Sequence, residues 1–388
     1  MLGWSSWSSF RHTSTAAIDE ANAQAMVSSG LAAVGYSSIN QDDGWYACPK
    51  VEYTGATAHP GTTDGPTVNT FGQWVTSQTT TSNTGAFPNE GTENGMEVLG
   101  NYIHSLGLKF GIYLTPGISG NAIYRNTPVE NNQDGQNDTT PSSYTADEIT
   151  ENYPQGTTLT PADYRGTLVT DNNYNCGGTW EFNYTSPGAQ LFVDSEADQF
   201  ASWGVNFVKL DGITDTNTKD VASWSQALNQ TGTPIDLDIT EGTFTISIAT
   251  TLDEYATQWE YSPDIEEGGG RNLTTYQSAD IRFNTDAIWQ SKGGAGKGFN
   301  DDDSVEIGDG CSTLPTSVGT AGEYICPGAT AGIHGDDGLT LPAEETVLSL
   351  WSLASSPLIL GATLQVLHDN PVTLALLTNK QVLAVDQD

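Results

Sequence analysis

Basic residues are scarce in this sequence of 388 residues. It contains 12 Lys and Arg residues against 48 Asp and Glu residues, which gives a formal net charge of −36 at pH 7. Proteins bind nucleic acids largely by releasing counterions from the phosphates with Lys and Arg, so a chain of this charge would repel such a polyanion. The composition therefore excludes nucleic acid as an expected partner, and most of the acidic residues are expected to lie on a solvated surface.

Long apolar runs are missing as well. No stretch approaches the roughly 20 apolar residues that a membrane-spanning helix needs, so no membrane partner is expected. Hydrophobic residues make up 36% of the chain, which is enough for a buried core. Only 15% of the residues are charged, and Thr, Ser, Asn and Gly are abundant. An uncharged polar surface with an acidic balance predicts an extracellular, secreted protein.

Cysteine is rare, with four residues in the whole chain. An even number suits an oxidising compartment, in which cysteines form disulfides. Cys311 and Cys326 flank a loop rich in Gly, Thr and Pro, so we expect a local disulfide between them. Cys48 and Cys176 would then pair with each other by elimination. Four free thiols are the alternative.

The five histidines are scattered, and none has the His or Glu spacing of a transition-metal site. The run Asp301-Asp302-Asp303 offers the oxygen ligands that Mg²⁺ or Ca²⁺ prefers, so a metal-dependent site is an alternative hypothesis. We expect neither a bound metal nor a cofactor.

A helix, a glycine and a short β-branched strand follow one another several times along the chain. This order is typical of parallel α/β structure, and its repetition favours a closed (β/α)8 TIM barrel over an open sheet. Residues 1–388 are expected to form this one barrel domain, with the long polar insertions 51–91 and 121–175 at its carboxyl-terminal face. The predicted helix and strand pairs are 16–31 with 37–40, 98–106 with 109–114, 189–203 with 206–210, 221–228 with 235–239, and 341–356 with 358–361.

Acidic residues follow four of the predicted strands. In a barrel of this kind the carboxyl ends of the strands meet at one face, where active sites lie. A single acid after one strand is usually a helix cap, but several on one face would repel one another unless a site uses them. The residues concerned are Asp42, Asp43, Asp211, Glu241 and Asp264.

Paired carboxyl groups of this kind are typical of glycoside hydrolysis. One must be ionised as a nucleophile, and the other must hold a proton for the leaving oxygen. Lys209 lies two residues before Asp211 and therefore faces the same side of its strand, where it favours the ionised carboxylate. Trp7, Trp45 and Tyr113 lie near the same strand ends and suit stacking on a sugar, although core packing is the alternative for each.

Ordered sequence blocks resemble glycoside hydrolase family 27, the family of α-galactosidases and α-N-acetylgalactosaminidases. The resemblance extends from Leu2 to Asp388 and implies a TIM barrel, with the β-sandwich that usually follows it in the family absent or trimmed. The blocks are Leu-Gly-Trp-Ser-Ser-Trp at 2–7, 25–31, Asp-Asp-Gly-Trp at 42–45, 107–113, 203–211, Phe-Asn-Asp-Asp-Asp at 299–303, and 374–388.

The resemblance implies a role for each matched residue. Asp211 corresponds to the nucleophile that forms a covalent glycosyl-enzyme. Asp42 and Asp43 correspond to acceptors for the 4- and 6-hydroxyls of the sugar. Glu241 stands where galactosidases carry a glutamate near the 2-substituent, which favours an unsubstituted 2-hydroxyl. The other residues implied to bind the sugar are Trp7, Tyr113, Lys209 and Asp303.

Two Asp-Ile pairs compete for the role of acid/base. Asp264 has Trp259 five residues before it, as in the family's Trp-Arg-x-x-x-Asp-Ile motif, whereas Asp280 lies in a stretch with helical spacing. We therefore assign the role to Asp264. The arginine of the motif is Glu260 here, which offers acceptors in place of a fork of donors. Arg271 is an alternative source of such donors.

These residues predict an exo-acting, retaining α-galactosidase that acts on an oligosaccharide or polysaccharide. The alternatives are other activities of the family, β-L-arabinopyranosidase and isomaltodextranase, and a catalytically inactive carbohydrate-binding barrel. The intact Asp42–Asp43 pair favours galactose over arabinopyranose, because arabinopyranose lacks the exocyclic hydroxymethyl group. The sequence does not indicate an oligomeric state.

Overall fold

Eight parallel strands form the central sheet of the protein. The computed structural model describes residues 1–48, 65–81, 84–131, 140–157, 159, 170–171, 176–240, 244–265, 276–294, 296–307, 339–369 and 371–388. Numbered in chain order, the central strands are β1 (Leu2–Ser5), β2 (Ser38–Gln41), β3 (Lys109–Leu114), β4 (Val205–Asp211), β5 (Asp236–Thr240), β6 (Gln258–Glu260), β7 (Phe299–Asp301) and β8 (Leu358–Leu360).

Strands β1 to β7 pair in parallel in chain order, and β8 pairs with β1. The ring closes just after β7, where the Val305 backbone N–H donates to Ile359 O at 2.7 Å. The carbonyl of Val305 accepts from Gly361 N at 3.2 Å. Because eight consecutive parallel strands return to the first, the expected (β/α)8 barrel is confirmed.

Helices alternate with these strands, as the repeated pattern predicted. Strand β3 has the predicted bounds, and the helix that contains Asp280 is also present. The outer helices are α1 (Ala16–Ser28), α2 (Gly95–Ser105), α3 (Pro187–Ser202), α4 (Thr218–Gln230), α5 (Ala249–Tyr255), α6 (Tyr276–Trp289), α7 (Leu341–Ala354), α8 (Pro371–Leu377) and α9 (Lys380–Asp386). Shorter helices are Trp7–Phe10, Gly120–Arg125 and Ala146–Ile149, with single 3₁₀ turns at Arg11–Thr13, Ala32–Val34 and Ile246–Ile248 and a longer one at Leu364–Asp369.

Local capping residues fix where the helices begin and end. The side chain of Asn94 accepts a hydrogen bond from Met96 N at 2.9 Å and so starts α2. Gly107 follows the end of α2 with φ +78°, in the left-handed region that glycine adopts without strain. The chain turns at Gly107 and then enters β3, so this turn sets the point at which the strand begins.

Successive residues of the strands face opposite sides of the barrel wall. Outward-facing residues such as Phe110, Val208 and Trp259 are buried under the helices and form the apolar layer. The inward-facing residues of β4 to β7 are largely polar and acidic, among them Lys209 and Glu260. The sheet therefore places its charged groups inside the barrel, toward its carboxyl-terminal end.

The two long insertions follow β2 and β3, and a disulfide joins them. Cys48 and Cys176 are bonded, with their Cα atoms 5.4 Å apart and 128 positions apart in the sequence. This pairing confirms the sequence expectation, whereas Cys311 and Cys326 lie outside the described residues. Short antiparallel strands accompany the second insertion: Ile118–Ser119, Thr170–Asp171 and Thr179–Trp180 in one sheet, and Pro128–Glu130 and Pro141–Thr145 in another.

The helices that the structure describes include none that combines the length and apolar character needed to cross a membrane.

Replacing both Cys48 and Cys176 by serine should lower the free energy of unfolding by roughly 2 to 5 kcal/mol, because the bond closes a long loop in the unfolded chain. Urea unfolding of the variant and of the parent chain, both without reductant, would measure the difference. An unchanged midpoint in the double variant would show that the link between the insertions does not stabilise the fold.

Candidate active site

Asp211 is the last residue of β4, and two donors hold its carboxylate. The Gly212 backbone N–H donates to Asp211 Oδ1 at 2.7 Å, and the Tyr113 hydroxyl donates to Oδ2 at 3.0 Å. Burial raises the pKa of Asp211 to about 6, while the charge of Lys209 and the Gly212 N–H act in the opposite direction. The result is an oriented carboxylate whose charge changes in the mildly acidic range.

Lys209 lies opposite Tyr113 in the register of β3 and β4. Its Nζ is 3.1 Å from Asp42 Oδ2, which also accepts from Ser5 Oγ at 3.3 Å. Burial alone would lower the pKa of Lys209, but Asp42 and Asp211 together outweigh it and hold the pKa well above the ordinary value. Lys209 therefore remains a cation at any physiological pH and ties the end of β2 to β4.

Asp43 is buried beside this pair. The Tyr46 hydroxyl and the Gly44 backbone N–H both donate to Asp43 Oδ1, at 2.6 and 2.7 Å. Burial raises the pKa of Asp43 to about 7, although the Tyr46 hydrogen bond acts in the opposite direction. Gly44 has φ +94°, and a Cβ there would lie 2.2 Å from His12 O, so the turn that orients the two aspartates requires glycine.

Trp45 is not available to a ligand. Its side chain is 0% exposed and packs against Trp74, Phe200 and Trp203, and its Nε1 donates to Tyr113 O at 2.7 Å. The expectation that Trp45 stacks on a sugar is therefore wrong, because the ring belongs to the core that supports Tyr113.

Trp7 differs from Trp45 in remaining half-buried. It begins the short helix Trp7–Phe10 after β1, and the Arg11 guanidinium lies 5.0 Å from its ring centre. A ring that is accessible on one side can still pack against a ligand at this end of the barrel.

Asp264 follows β6, and its side chain is exposed at the barrel end. One of its carboxylate oxygens lies within 4.8 Å of oxygens from Glu260 and Asp303. Desolvation by the surrounding protein and then the charge of Asp303 raise the pKa of Asp264, while Lys209 and Arg11 act in the opposite direction. Asp264 is therefore placed among the acidic groups of the site with a raised proton affinity.

Asp280 is exposed on α6, in the middle of the helix that precedes β7. Of the two Asp-Ile pairs, the structure brings the one at Asp264 next to Asp303 and leaves Asp280 on the outer layer.

Arg282, also on α6, is a functional residue that the sequence reasoning missed. Its side chain is 2% exposed, and its guanidinium donates to Pro263 O at 2.6 Å and Asp302 O at 2.5 Å. It also lies 3.9 Å from Asp303 Oδ2, which accepts from Ile265 N at 2.6 Å. Arg282 thus fixes the segment around Asp264 to the end of β7. The available signal was a single arginine within a helical pattern, in a sequence that has few basic residues.

The run Asp301-Asp302-Asp303 does not converge on one point. Asp302 is fully buried and shares the Tyr261 hydroxyl with Asp286. Burial and the charge of Asp286 raise the pKa of Asp302 well above its ordinary value, so Asp302 can hold a proton in this group. Among the described residues, Asp303 alone of the run joins Glu260 and Asp264 in a group close enough to share a cation.

Glu260 points into the barrel from β6, in register with Asp301 on β7. It is 3% exposed, and within the described residues its Oε1 has no hydrogen-bond partner. Burial, followed by the charges of Asp303 and Asp264, raises the pKa of Glu260 well above its ordinary value. The position at which the resemblance expects an arginine is thus a buried acid. Glu241 and Arg271 both lie outside the described residues.

Comparison with known proteins finds alpha-galactosidases. Residues 174–321 match the family model described as alpha galactosidase A. Alpha-galactosidase 2 of Arabidopsis thaliana is 24% identical over 390 residues, with 100% of this chain and 66% of that protein covered. The alpha-galactosidase of Coffea arabica is 25% identical over 390 residues, with 100% and 69% covered.

The chain is similar to alpha-galactosidases along its whole length.

Solved structures of the family share the fold. The GH27 β-L-arabinopyranosidase of Geobacillus stearothermophilus superposes with a TM-score of 0.71 at 24% identity, covering 99% of this chain and 75% of that one. Alpha-galactosidase I of Mortierella vinacea has a TM-score of 0.59 at 19% identity, covering 100% and 72%. The chain spans 66% of the length of alpha-galactosidase 2 and 60% of that of alpha-galactosidase 3 of Arabidopsis thaliana.

The buried acids of this chain should make it less stable at high pH. Asp43 and Asp301 have pKa values raised by burial to about 7, and burial raises that of Glu196 on α3 to about 8. Because these values lie above those of the unfolded chain, the folded state binds more protons between about pH 4 and pH 8. The stability they contribute is complete below about pH 4 and is lost as the pH rises through 7 to 8.

Urea midpoints measured from pH 5 to pH 8.5 should therefore fall as the pH rises. Glu196 lies on α3, away from the barrel interior. Its replacement, Glu196→Gln, should make the urea midpoint depend less on pH at the upper end of this range. A midpoint that increases toward pH 8 would contradict the assignment of these groups.

Proposed function

We propose that the chain is an exo-acting, retaining α-galactosidase that removes terminal α-linked galactose from oligosaccharides or polysaccharides. The observation that carries the proposal is the Asp211 carboxylate at the end of β4, oriented by Tyr113 and Gly212. The curated relatives named above are alpha-galactosidases, and an alpha-galactosidase of Saccharomyces cerevisiae has been solved with raffinose.

Binding would place the anomeric carbon over Asp211. Sugar hydroxyls remote from the cleaved bond would donate to Asp42 and Asp43 and accept from the Lys209 ammonium. These contacts would orient the ring before reaction. Trp7 would contact the apolar face of the sugar, and Asp303 and Glu241 would bind hydroxyls nearer the bond. The oriented Asp211 carboxylate then needs little rearrangement to reach the anomeric carbon.

In the first step an Asp211 oxygen would bond to the anomeric carbon as the glycosidic carbon–oxygen bond breaks. The electron pair goes to the leaving oxygen, which takes the proton of Asp264. In the second step Asp264 removes a proton from water, and the water oxygen displaces Asp211. The sugar leaves with its anomeric configuration retained, and both carboxyl groups return to their first states.

The charges of the site suit both roles. Asp264 has a raised pKa and can hold a proton, while Lys209 favours the ionised form of Asp211. Once Asp211 is esterified its negative charge is gone, so the proton affinity of Asp264 falls and it can act as a base. Neither step needs a metal or a cofactor.

A β-L-arabinopyranosidase is the second candidate, because the same steps act on a sugar without the hydroxymethyl group. The fold similarity to the Geobacillus stearothermophilus enzyme favours it. Buried Asp43 favours galactose, since its carboxylate suits a 6-hydroxyl. A panel of aryl glycosides, read for release of the phenol, would decide between them. We propose further that the protein is secreted, because the Cys48–Cys176 disulfide suits an oxidising compartment.

Asp211→Asn should lower kcat on an aryl α-galactoside by roughly four orders of magnitude, as the loss of a catalytic nucleophile does in other hydrolases. Asp215→Asn is the matched control, because Asp215 contacts Thr245 outside the pocket. Near-normal turnover by Asp211→Asn, with an unchanged circular dichroism spectrum, would refute the mechanism.

Asp264→Ala should slow the hydrolysis of a galactose disaccharide by roughly 10²- to 10⁴-fold, the usual contribution of a general acid. The loss should be much smaller for a dinitrophenyl α-galactoside, whose leaving group needs no proton, and azide should restore part of the rate. Asp280→Ala, on the outer layer, should behave like the parent enzyme. If only the Asp280 variant shows the leaving-group dependence, Asp264 is not the acid/base.

A further inference from the structure

The predicted acid/base, Asp264, belongs to a group of three carboxylates in the pocket. Oxygens of Glu260, Asp264 and Asp303 all lie within 4.8 Å of one another. Glu260 is 3% exposed and directed into the barrel, and Oε1 is without a hydrogen-bond partner in the part of the chain that the structure describes. An unpaired buried carboxylate is costly, so this site is completed either by a proton or by a cationic ligand.

The basic groups nearby are already engaged. The Lys209 ammonium is 3.1 Å from Asp42, and Arg282 donates to the carbonyls of Pro263, Asp302 and Ser278. Arg282 reaches Asp303 at 3.9 Å, which is beyond direct hydrogen bonding. Glu260 Oε1 therefore lines the pocket as an acceptor that no donor among the described residues satisfies.

The register of the strands places Glu260 beside the reacting carbon. Thr240 on β5 pairs with Asp211 on one side and with Glu260 on the other. Two strand spacings separate Asp211 from Glu260, so their Cα atoms are no more than about 10 Å apart. A sugar ring bound at Asp211 fits between them. Asp42, the expected partner of hydroxyls remote from the cleaved bond, lies on the β2 side of Asp211, so we infer that the substituent next to the anomeric carbon faces β6.

We propose that this pocket binds an α-linked amino sugar, a galactose-configured residue whose carbon 2 carries a free ammonium group held between Glu260 and Asp303. The inference rests on the proposed function, because it concerns the same site. An ammonium group offers three donors to carboxylate oxygens and is about the size of the hydroxyl that it replaces. An acetamido group would be larger and uncharged, so the acetylated sugar should fit poorly.

An inorganic cation fits the group less well than an ammonium on the sugar. A divalent ion on Glu260 and Asp303 would be close enough to Asp264 to hold it ionised, which removes the proton donor that the leaving oxygen needs. The net charge of −36 also favours an amino sugar, since it attracts a polymer of cationic sugars and raises its concentration near the enzyme. The amino sugar satisfies the buried acid and leaves the acid/base free.

The test compares aryl α-galactosaminide, with a free amine, against the aryl α-galactoside and its N-acetylated form at pH 6. We expect kcat/KM for the amino substrate to exceed that for the galactoside by roughly 10- to 100-fold, the range for hydrogen bonds to charged groups. Glu260→Gln should bring this ratio close to one or below it. Asp280→Asn, exposed on α6, should leave the ratio as in the parent enzyme.

Titration of the parent protein with free galactosamine and with galactose gives a second measurement that needs no turnover. Galactosamine should bind roughly tenfold more tightly, and Glu260→Gln should remove that difference. Equal Kd values, or an amino preference that survives Glu260→Gln, would overturn the inference and leave the α-galactosidase proposal standing. If no glycoside is cleaved, the proposed function fails, and the Kd ratio alone decides the inference. Calcium binding that blocks galactosamine and is abolished in Glu260→Gln would assign the group to a metal instead.

Discussion

The ion pair between Lys209 and Asp42 is the interaction on which the rest of the site depends. Carboxyl groups crowd the carboxyl end of this barrel, and burial drives them toward the neutral form. The ammonium of Lys209 opposes this tendency at Asp211, Glu260 and Asp264. Without this positive charge the pKa of Asp211 would be higher still, and the nucleophile would be ionised over a narrower range of pH. The lysine is held in place because Asp42, its partner, is itself fixed by Ser5 and by the Asp43 backbone.

The barrel and the acids at its strand ends could be predicted because their signals are local. Capping residues, glycines and alternating strands mark the elements, and the bounds of β3 follow directly from them. Asp211 and Lys209 share a face by strand periodicity alone. The contacts of Arg282 could not be predicted, since they join α6 to the segments that follow β6 and β7. The burial of Trp45 was missed for the same reason, because only packing against Trp74 and Trp203 decides it.

One change of charge distinguishes this site from the family pattern it otherwise resembles. Glu260 occupies an inward position between Thr240 and Asp301, where the neighbouring strands supply no basic side chain. On the opposite face of the same strand, Trp259 packs under the helices and donates to Asn300, so Glu260 stands on a well-packed wall. Fold and reaction can thus persist while one residue on the inner face alters what the pocket recognises.

The closure of the ring at Val305 has a mechanical consequence. Every other junction in the barrel is a ladder of several paired residues, but within the described residues β7 and β8 meet through the backbone of this one residue. The junction at Val305 is therefore the place where two neighbouring strands can separate with the loss of the fewest backbone hydrogen bonds. Asp303 lies two residues before it, so the acidic side of the pocket adjoins the junction with the fewest backbone hydrogen bonds, whereas the nucleophile on β4 stands in a ladder of five paired residues.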